Sequence, residues 1–254
     1  MNRRWLCFSA LVAVDREASM RSVLTSISLA ALMLCALSQR ATAEMIEKNG
    51  TFGGLTVIYK VVLPDGYDPA RAYPTVLVFT GGPQTLQMAA NTLETDWRKE
   101  AERRGYILVS PGTPDGSLFF EAADRVFPEF LDRILHDYQV KDGKLHVAGH
   151  SNGGLSAFHV AARYPQYFST LTGYPGLLEG PDVRRTQAIK PLCIFMHVGD
   201  QDGGWLPAMQ KQAQDLRQRG FKIRFTVEQN QVHRLKAQEI NLSNRLYEEI
   251  ESCK

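Results

Sequence analysis

The residues with the clearest chemical potential lie in segment 149–154, which reads Gly-His-Ser-Asn-Gly-Gly. The segment fits the pattern G-x-S-x-G and falls between a predicted strand and a predicted helix, where such a serine sits on a sharp turn. The glycines let the backbone turn tightly and let the helix approach the strand. Ser151 would therefore present its hydroxyl above the end of a sheet. A glycine-rich turn without chemistry is the alternative interpretation.

A serine hydroxyl is a weak nucleophile until a base removes its proton. Of the six histidines in the chain, His233 alone follows the last predicted strand, in a short polar loop before the final helix. His150 adjoins Ser151 but is expected to point away from it along the strand. The others, His136, His146, His159 and His197, lie within predicted helices or strands. We therefore predict that His233 is the base, with an ordinary surface histidine as the alternative.

The acid that orients the base is expected between nucleophile and base, after another strand. Segment 199–204 reads Gly-Asp-Gln-Asp-Gly-Gly and directly follows the apolar run PLCIFMHV. We choose Asp202 because it lies further out on the loop. Asp200 is the alternative, and it could instead hydrogen-bond the turn. A metal site built from His197, Asp200 and Asp202 is a weaker hypothesis.

The elements that must position these residues alternate along the chain. Predicted strands cover residues 55–63, 75–79, 106–110, 144–149, 168–173, 191–198 and 222–228, and predicted helices cover 92–104, 121–138, 153–164, 206–219 and 235–250. Helical crossovers imply parallel strands, whereas the missing helix between the first two strands suggests an antiparallel start. Ligands bind beyond the carboxyl ends of the strands in such sheets, and the candidate residues follow strands at those ends.

Composition excludes several classes of protein. The 254 residues are 44 % hydrophobic and 22 % charged, which is ordinary for a globular chain and argues against a disordered or multi-span membrane protein. The formal net charge of +2 provides no strong basic field, so we expect no nucleic-acid partner.

The N-terminal region has the pattern of a secretory signal peptide. An apolar run over residues 23–37 follows Arg21 and precedes Ala41-Thr42-Ala43. We predict a signal peptide over residues 1–43, cleavage after Ala43, and a secreted or periplasmic protein without stable membrane association. Met20 is a candidate start, so residues 1–19 could lie upstream of the true one. An uncleaved anchor is the alternative.

Two of the four cysteines, Cys193 and Cys253, lie beyond the predicted signal peptide. In an exported protein such a pair permits one disulfide, but two unpaired cysteines remain the alternative. The final helix should run back toward the strand starts and bring Cys253 near Cys193. A Cα separation well above about 7 Å would exclude the bond.

The sequence resembles the α/β-hydrolase superfamily, in particular the compact secreted serine esterases grouped with polyhydroxybutyrate depolymerases and feruloyl esterases. The resemblance covers roughly residues 50–254 and rests on TGGP after the second strand, GHSNGG, HVGDQD and the isolated VH before the last helix. It implies an α/β-hydrolase domain over residues 44–254, with a mostly parallel central sheet and helices on both faces. Segment 174–190 is too short for a separate lid domain.

Together the motifs predict hydrolysis of a carboxylic ester by Ser151, Asp202 and His233, without a cofactor or metal. Developing charge on the carbonyl oxygen needs preorganised donors. We assign these to the amides of Asn152 and Gly82, because the neighbouring proline has no N–H. A tight turn at Gly82 is compatible with that role.

The expected partner is a small-molecule or oligomeric ester, whose acyl and alcohol preference the sequence leaves open. A peptidase or amidase with the same triad is one rival, and a non-catalytic binding protein on a hydrolase scaffold is another. Side chains that could line the cleft, although packing in the core or in a loop is the favoured interpretation for each, are Leu118, Phe119, Phe120, Tyr174 and Trp205.

Overall fold

The computed structural model describes residues 44–180 and 182–253. The predicted signal peptide over residues 1–43 lies outside them. Within the described ranges, no helix has both the length and the apolar character needed to cross a bilayer.

The described residues form an eight-stranded sheet in the order β1-β2-β4-β3-β5-β6-β7-β8. Its strands are β1 (Met45–Phe52), β2 (Leu55–Val62), β3 (Thr75–Phe79), β4 (Ile107–Pro111), β5 (Leu145–Gly149), β6 (Phe168–Gly173), β7 (Cys193–Gly199) and β8 (Ile223–Glu228). Strand β2 is antiparallel to both β1 and β4, and the remaining neighbours are parallel. The predicted antiparallel start and parallel remainder are therefore confirmed.

The helices of the described chain are α1 (Leu86–Thr92), α2 (Arg98–Arg104), α3 (Glu129–Asp137), α4 (Asn152–Arg163), α5 (Val183–Ala188), α6 (Leu206–Gln218) and α7 (Leu242–Ser252). A π-helical turn, Leu93–Trp97, joins α1 to α2. Between β6 and β7 the described residues contain only the short helix α5, so no separate lid domain interrupts the sheet there.

Helices cover both faces of the sheet because its buried strands are apolar on both sides. Strand β3 shows this alternation most directly. Leu77 and Phe79 pack in a core with α3, α4 and α6, whereas Val76 and Val78 pack in a second core with the π-helical turn, α2 and α7. All of β3 is buried, which explains its continuous apolar sequence.

The structure differs from the predicted elements at several places. The predicted helix over residues 121–138 is divided into a 3-10 turn, Ala122–Val126, and α3. Strand β1 is absent from the prediction because its charged, partly exposed sequence lacks an apolar face; it pairs with β2 through a two-glycine turn at Gly53-Gly54, both with positive φ. The first predicted helix begins earlier, at α1, because the Thr85 side chain caps it by accepting from the Met88 N–H. The last predicted helix begins only after Asn241, whose φ of 52° is left-handed.

A disulfide joins the last helix to the sheet. Cys193 opens β7, Cys253 follows α7, and their Cα atoms lie 6.0 Å apart. Of the two alternatives that the sequence left open, the structure therefore has the bonded pair.

Candidate active site

Ser151 lies on a sharp turn between β5, which ends at Gly149, and α4, which begins at Asn152. Its backbone has φ 58° and ψ −122°, a conformation that costs a non-glycine residue about 1–3 kcal/mol. The Ser151 N–H donates to the carbonyl of Pro175 at 2.8 Å, which helps to hold the turn. The predicted strand–turn–helix context is confirmed.

Close backbone packing around the turn explains its glycines. A Cβ at Gly149 would collide with the carbonyl oxygen of Gly153. A Cβ at Gly153 would collide with the carbonyl oxygen of Phe79 at the end of β3. The start of α4 can therefore lie directly against the neighbouring strand end, which fixes the height of Ser151 above the sheet.

The structure brings the three side chains predicted for catalysis together. Nε2 of His233 lies 2.8 Å from Oγ of Ser151, and Nδ1 of His233 lies 2.7 Å from Oδ2 of Asp202. If Nδ1–H donates to the carboxylate, the lone pair of Nε2 is free to accept the serine proton. This arrangement has the geometry needed to deprotonate Ser151 during an attack on an electrophile.

The Asp202 carboxylate is held by the loop that follows β7. Asp202 is 6 % exposed, its N–H donates to the carbonyl of Gly199, and its carbonyl accepts from the N–H of Leu206 at the start of α6. The His233 side chain is 40 % exposed. The His233 ring therefore faces solvent on one side and a buried carboxylate on the other.

His197 does not join Asp200 and Asp202 in a metal site. Its two ring nitrogens lie 2.9 Å from Glu228, at the end of β8, and 2.8 Å from Glu249 of α7, and all three side chains are buried. Asp202 contacts His233 instead, and in the described chain no cluster of three or more His, Cys, Asp or Glu residues could hold a metal ion.

The residues predicted to supply the oxyanion amides lie side by side. Asn152 is the first residue of α4, so its N–H has no acceptor within the helix. Its side-chain Nδ2 donates to the carbonyl of Gly82 at 2.9 Å, and Gly82 has a φ of 59° that favours glycine. The loop after β3 is thereby fastened to the residue that follows the serine.

Two further rings pack against the His233 imidazole. The Trp205 ring centroid lies 5.4 Å from it, and the His150 centroid lies 5.5 Å from it. Burial, together with the nearby positive charge of Arg234, lowers the pKa of His150 to about 3. His150 is therefore neutral at ordinary pH and adds no positive charge beside His233.

An ion pair next to the base was not predicted. Arg234 contacts Asp96 with both terminal nitrogens at 2.8 Å, and Asp96 is a 3 % exposed residue of the π-helical turn. The pair ties the His233 loop to the helical layer. Nothing in the local sequence indicates a contact between residues 138 positions apart.

Two of the proposed cleft residues belong to the core instead. Phe119 is fully buried against Phe79 and Phe127. Tyr174 is also fully buried, and its hydroxyl accepts from Nε1 of Trp97. Trp205, which is partly buried, lies against His233.

Several solved structures share this architecture. A ferulic acid esterase has a TM-score of 0.67 at 18 % identity and matches 83 % of this chain and 98 % of its own. An S-formylglutathione hydrolase from Agrobacterium tumefaciens has a TM-score of 0.62 at 15 % identity, over 85 % and 99 %. A thermostable esterase has a TM-score of 0.62 at 16 % identity, over 82 % and 61 %.

The chain has the α/β-hydrolase fold. No family model matches it. A sequence relative, dipeptidyl-peptidase 5 of Porphyromonas gingivalis, is 26 % identical over 156 residues, which are 56 % of this chain and 23 % of the relative. The match thus spans about a quarter of that peptidase.

Proposed function

We propose that this chain is a serine hydrolase that cleaves carboxylic esters through an acyl-enzyme. The observation that carries the proposal is the continuous hydrogen-bonded series from Ser151 through His233 to Asp202. It lies beyond the strand ends of an α/β-hydrolase fold, where ligands of such sheets bind.

In the proposed reaction, Oγ of Ser151 attacks the ester carbonyl carbon while its proton passes to Nε2 of His233. The amides of Gly82 and Asn152 stabilise the oxyanion, and Asp202 stabilises the imidazolium. The intermediate then collapses, and the leaving alkoxide takes the proton from His233 to depart as an alcohol. Water repeats the sequence on the acyl-enzyme, releasing the acid and free Ser151.

The names of the structural neighbours support an ester rather than an amide substrate, since they include esterases that match most of this chain. The sequence relative named as a dipeptidyl-peptidase keeps the peptidase rival open, although the match covers only 23 % of that protein. We propose a small-molecule or oligomeric ester as substrate. The disulfide between Cys193 and Cys253 supports an oxidising location, and we propose that the protein is secreted or periplasmic.

Two measurements test this function. Wild type is assayed on p-nitrophenyl acetate and the matched p-nitroanilide, and it is treated with a fluorophosphonate whose adduct is located by mass spectrometry. We expect faster ester hydrolysis, an adduct on Ser151, and a fall in kcat of about 10⁴-fold or more in Ser151→Ala. Ser169→Ala, at the opposite end of the sheet in β6, is the matched control and should retain activity.

Each rival predicts a different result. Faster hydrolysis of the anilide would establish the peptidase or amidase. An unlabelled, inactive wild type would favour the non-catalytic scaffold, and full activity in Ser151→Ala would overturn the proposed mechanism.

A further inference from the structure

Gln84 occupies an unusual place in the loop that follows β3. It lies two residues after Gly82, is fully buried, and has a φ of 52°. A non-glycine residue in this left-handed region is uncommon, and a buried side-chain amide is costly unless its polar atoms are paired. The hydrogen bonds of this amide must therefore offset both the strained backbone and the burial of a polar group.

Both ends of the Gln84 amide are hydrogen-bonded to other segments. Its Nε2 donates to Oγ of Ser156 at 2.9 Å, and its Oε1 accepts from the N–H of Phe119 at 3.1 Å. The backbone carbonyl of Gln84 also accepts from the N–H of Thr113. One residue thus joins the loop after β3 to helix α4 and to the loop after β4.

The link to α4 closes a ring of contacts around the proposed oxyanion donors. Ser156 lies one turn after Asn152, and its hydroxyl donates to the carbonyl of Asn152 at 3.0 Å. The side chain of Asn152 in turn donates to the carbonyl of Gly82 at 2.9 Å. The covalent backbone from Gly82 to Gln84 closes the ring.

Such a ring restrains the two amides relative to each other. The Asn152 side chain alone is a single contact about which the loop could rotate, whereas Gln84 adds a second anchor two residues away. Donors stabilise an oxyanion efficiently only when they are held in place before the reaction, and a displacement of about 1 Å can cost about a hundredfold in rate.

We propose that Gln84 is a positioning residue that holds the amides of Gly82 and Asn152 at the spacing needed to bind the oxyanion. This inference rests on the proposed serine hydrolase function. Gln84 itself does not contact the reacting atoms; it acts through the loop and through Ser156.

The test compares three variants. Gln84→Met keeps a side chain of similar length but loses both hydrogen bonds. Gln84→Glu keeps both when its carboxyl is neutral, the form that full burial favours. One oxygen then accepts from Phe119 and the O–H donates to Ser156, whose own proton stays on the Asn152 carbonyl. Gln212→Met is the matched control: this side-chain amide also bridges two segments, bonding the backbone N–H and carbonyl of Leu178.

For each variant we measure ester kinetics, thermal unfolding and inhibition by a boronic acid. The boronic acid forms a tetrahedral adduct with the serine. For Gln84→Met we expect kcat to fall about ten- to a hundredfold with KM nearly unchanged, and boronic-acid affinity to fall in parallel. Gln84→Glu should restore most of kcat. Gln212→Met should lose stability without this loss of kcat.

A wild-type value of kcat in Gln84→Met would overturn the inference. So would equal losses of kcat in Gln84→Met and Gln212→Met, or no recovery in Gln84→Glu. If Gln84→Met does not fold, Ser156→Ala opens the same ring from the helix side, because it removes the contacts to Gln84 and to the Asn152 carbonyl, and it must also lower kcat. An inactive, unlabelled wild type would instead overturn the proposed function, so the two failures are distinct.

Discussion

Asp200 and Asp202 lie two residues apart on the loop after β7, yet their carboxylates contact different residues of the loop that follows β8 and carries His233. Oδ2 of Asp202 lies 2.7 Å from the His233 ring, whereas Oδ1 of Asp200 accepts from the backbone N–H of Gln231 at 3.0 Å. The backbone N–H of Asp200 also donates to the carbonyl of Glu228. One acid thus faces the imidazole and the other fastens the two loops together.

The two acids should respond differently to the same substitution. We expect Asp202→Asn to lower kcat about 10⁴-fold, because an amide neither selects the required imidazole tautomer nor stabilises the imidazolium. Asp200→Asn keeps an oxygen that accepts from Gln231, so it should retain most of the activity. Steady-state ester kinetics on both variants provide the check, and equal losses would show that this division of roles is wrong.

The Arg234–Asp96 pair should affect the base without contacting substrate. Arg234→Lys keeps the charge but cannot form the paired contact, so we expect kcat to fall about tenfold as the neighbouring His233 becomes less well placed. Asp96→Asn should have a similar effect. In a double-mutant cycle the combined variant should be no worse than either single one, and additive losses would argue against a shared role.

His197 should make stability depend on pH. Burial alone would lower its pKa, but hydrogen bonds to Glu228 and Glu249 outweigh burial and raise the pKa above the ordinary 6.5. The protonated ring is therefore favoured by folding. Its contribution is complete below about pH 6.5 and is lost as the pH rises through the raised pKa. Each of these carboxylates also contacts an arginine: Arg245 contacts Glu228, and Arg224 contacts Glu249.

Urea unfolding of wild type and His197→Gln between about pH 5.5 and 9 tests this dependence. The difference in the free energy of unfolding should be largest at the acidic end and shrink as the pH rises. Below this range wild type should lose stability again as Glu228 becomes protonated. Burial alone would raise the pKa of Glu228, but hydrogen bonds from His197 and Arg245 lower it, so the folded state favours the carboxylate. A difference independent of pH would contradict the assignment.

The disulfide should contribute to stability without taking part in catalysis. It closes a loop spanning 60 residues, for which restriction of the unfolded chain stabilises the fold by about 2–4 kcal/mol. The variant Cys193→Ser/Cys253→Ser should lose that amount and keep kcat, because Cys193 opens β7 while Asp202 follows its other end. Reductant should destabilise wild type and leave the double variant unchanged; an equal response would refute the bond.

The sequence predicted the positions of Ser151, Asp202 and His233 because chemistry restricts where such residues can stand. Each must follow a strand whose carboxyl end reaches the same edge of the sheet, and continuous apolar runs such as β3 mark those strands clearly.

Contacts between distant segments could not be predicted in the same way. Asp96 lies in a helix-favouring segment, and only the folded chain shows that a π-helical turn directs its carboxylate to Arg234. Gln84 looks like an ordinary loop residue until its burial is known. Strand β1 was missed for another reason, because an edge strand needs no apolar face. The Gly53-Gly54 turn was the signal in the sequence that indicated a hairpin with β2.

The crowding around the serine turn determines where this protein can change and still work. Any side chain added at Gly149 or Gly153 meets main-chain atoms, which cannot move aside as a flexible side chain can. Under the proposed function, changes of substrate preference are therefore expected outside the turn, at the half-exposed Val232 and at Trp205, whose ring packs against His233. Libraries that vary these two positions should yield more folded variants with altered selectivity than libraries that vary the turn.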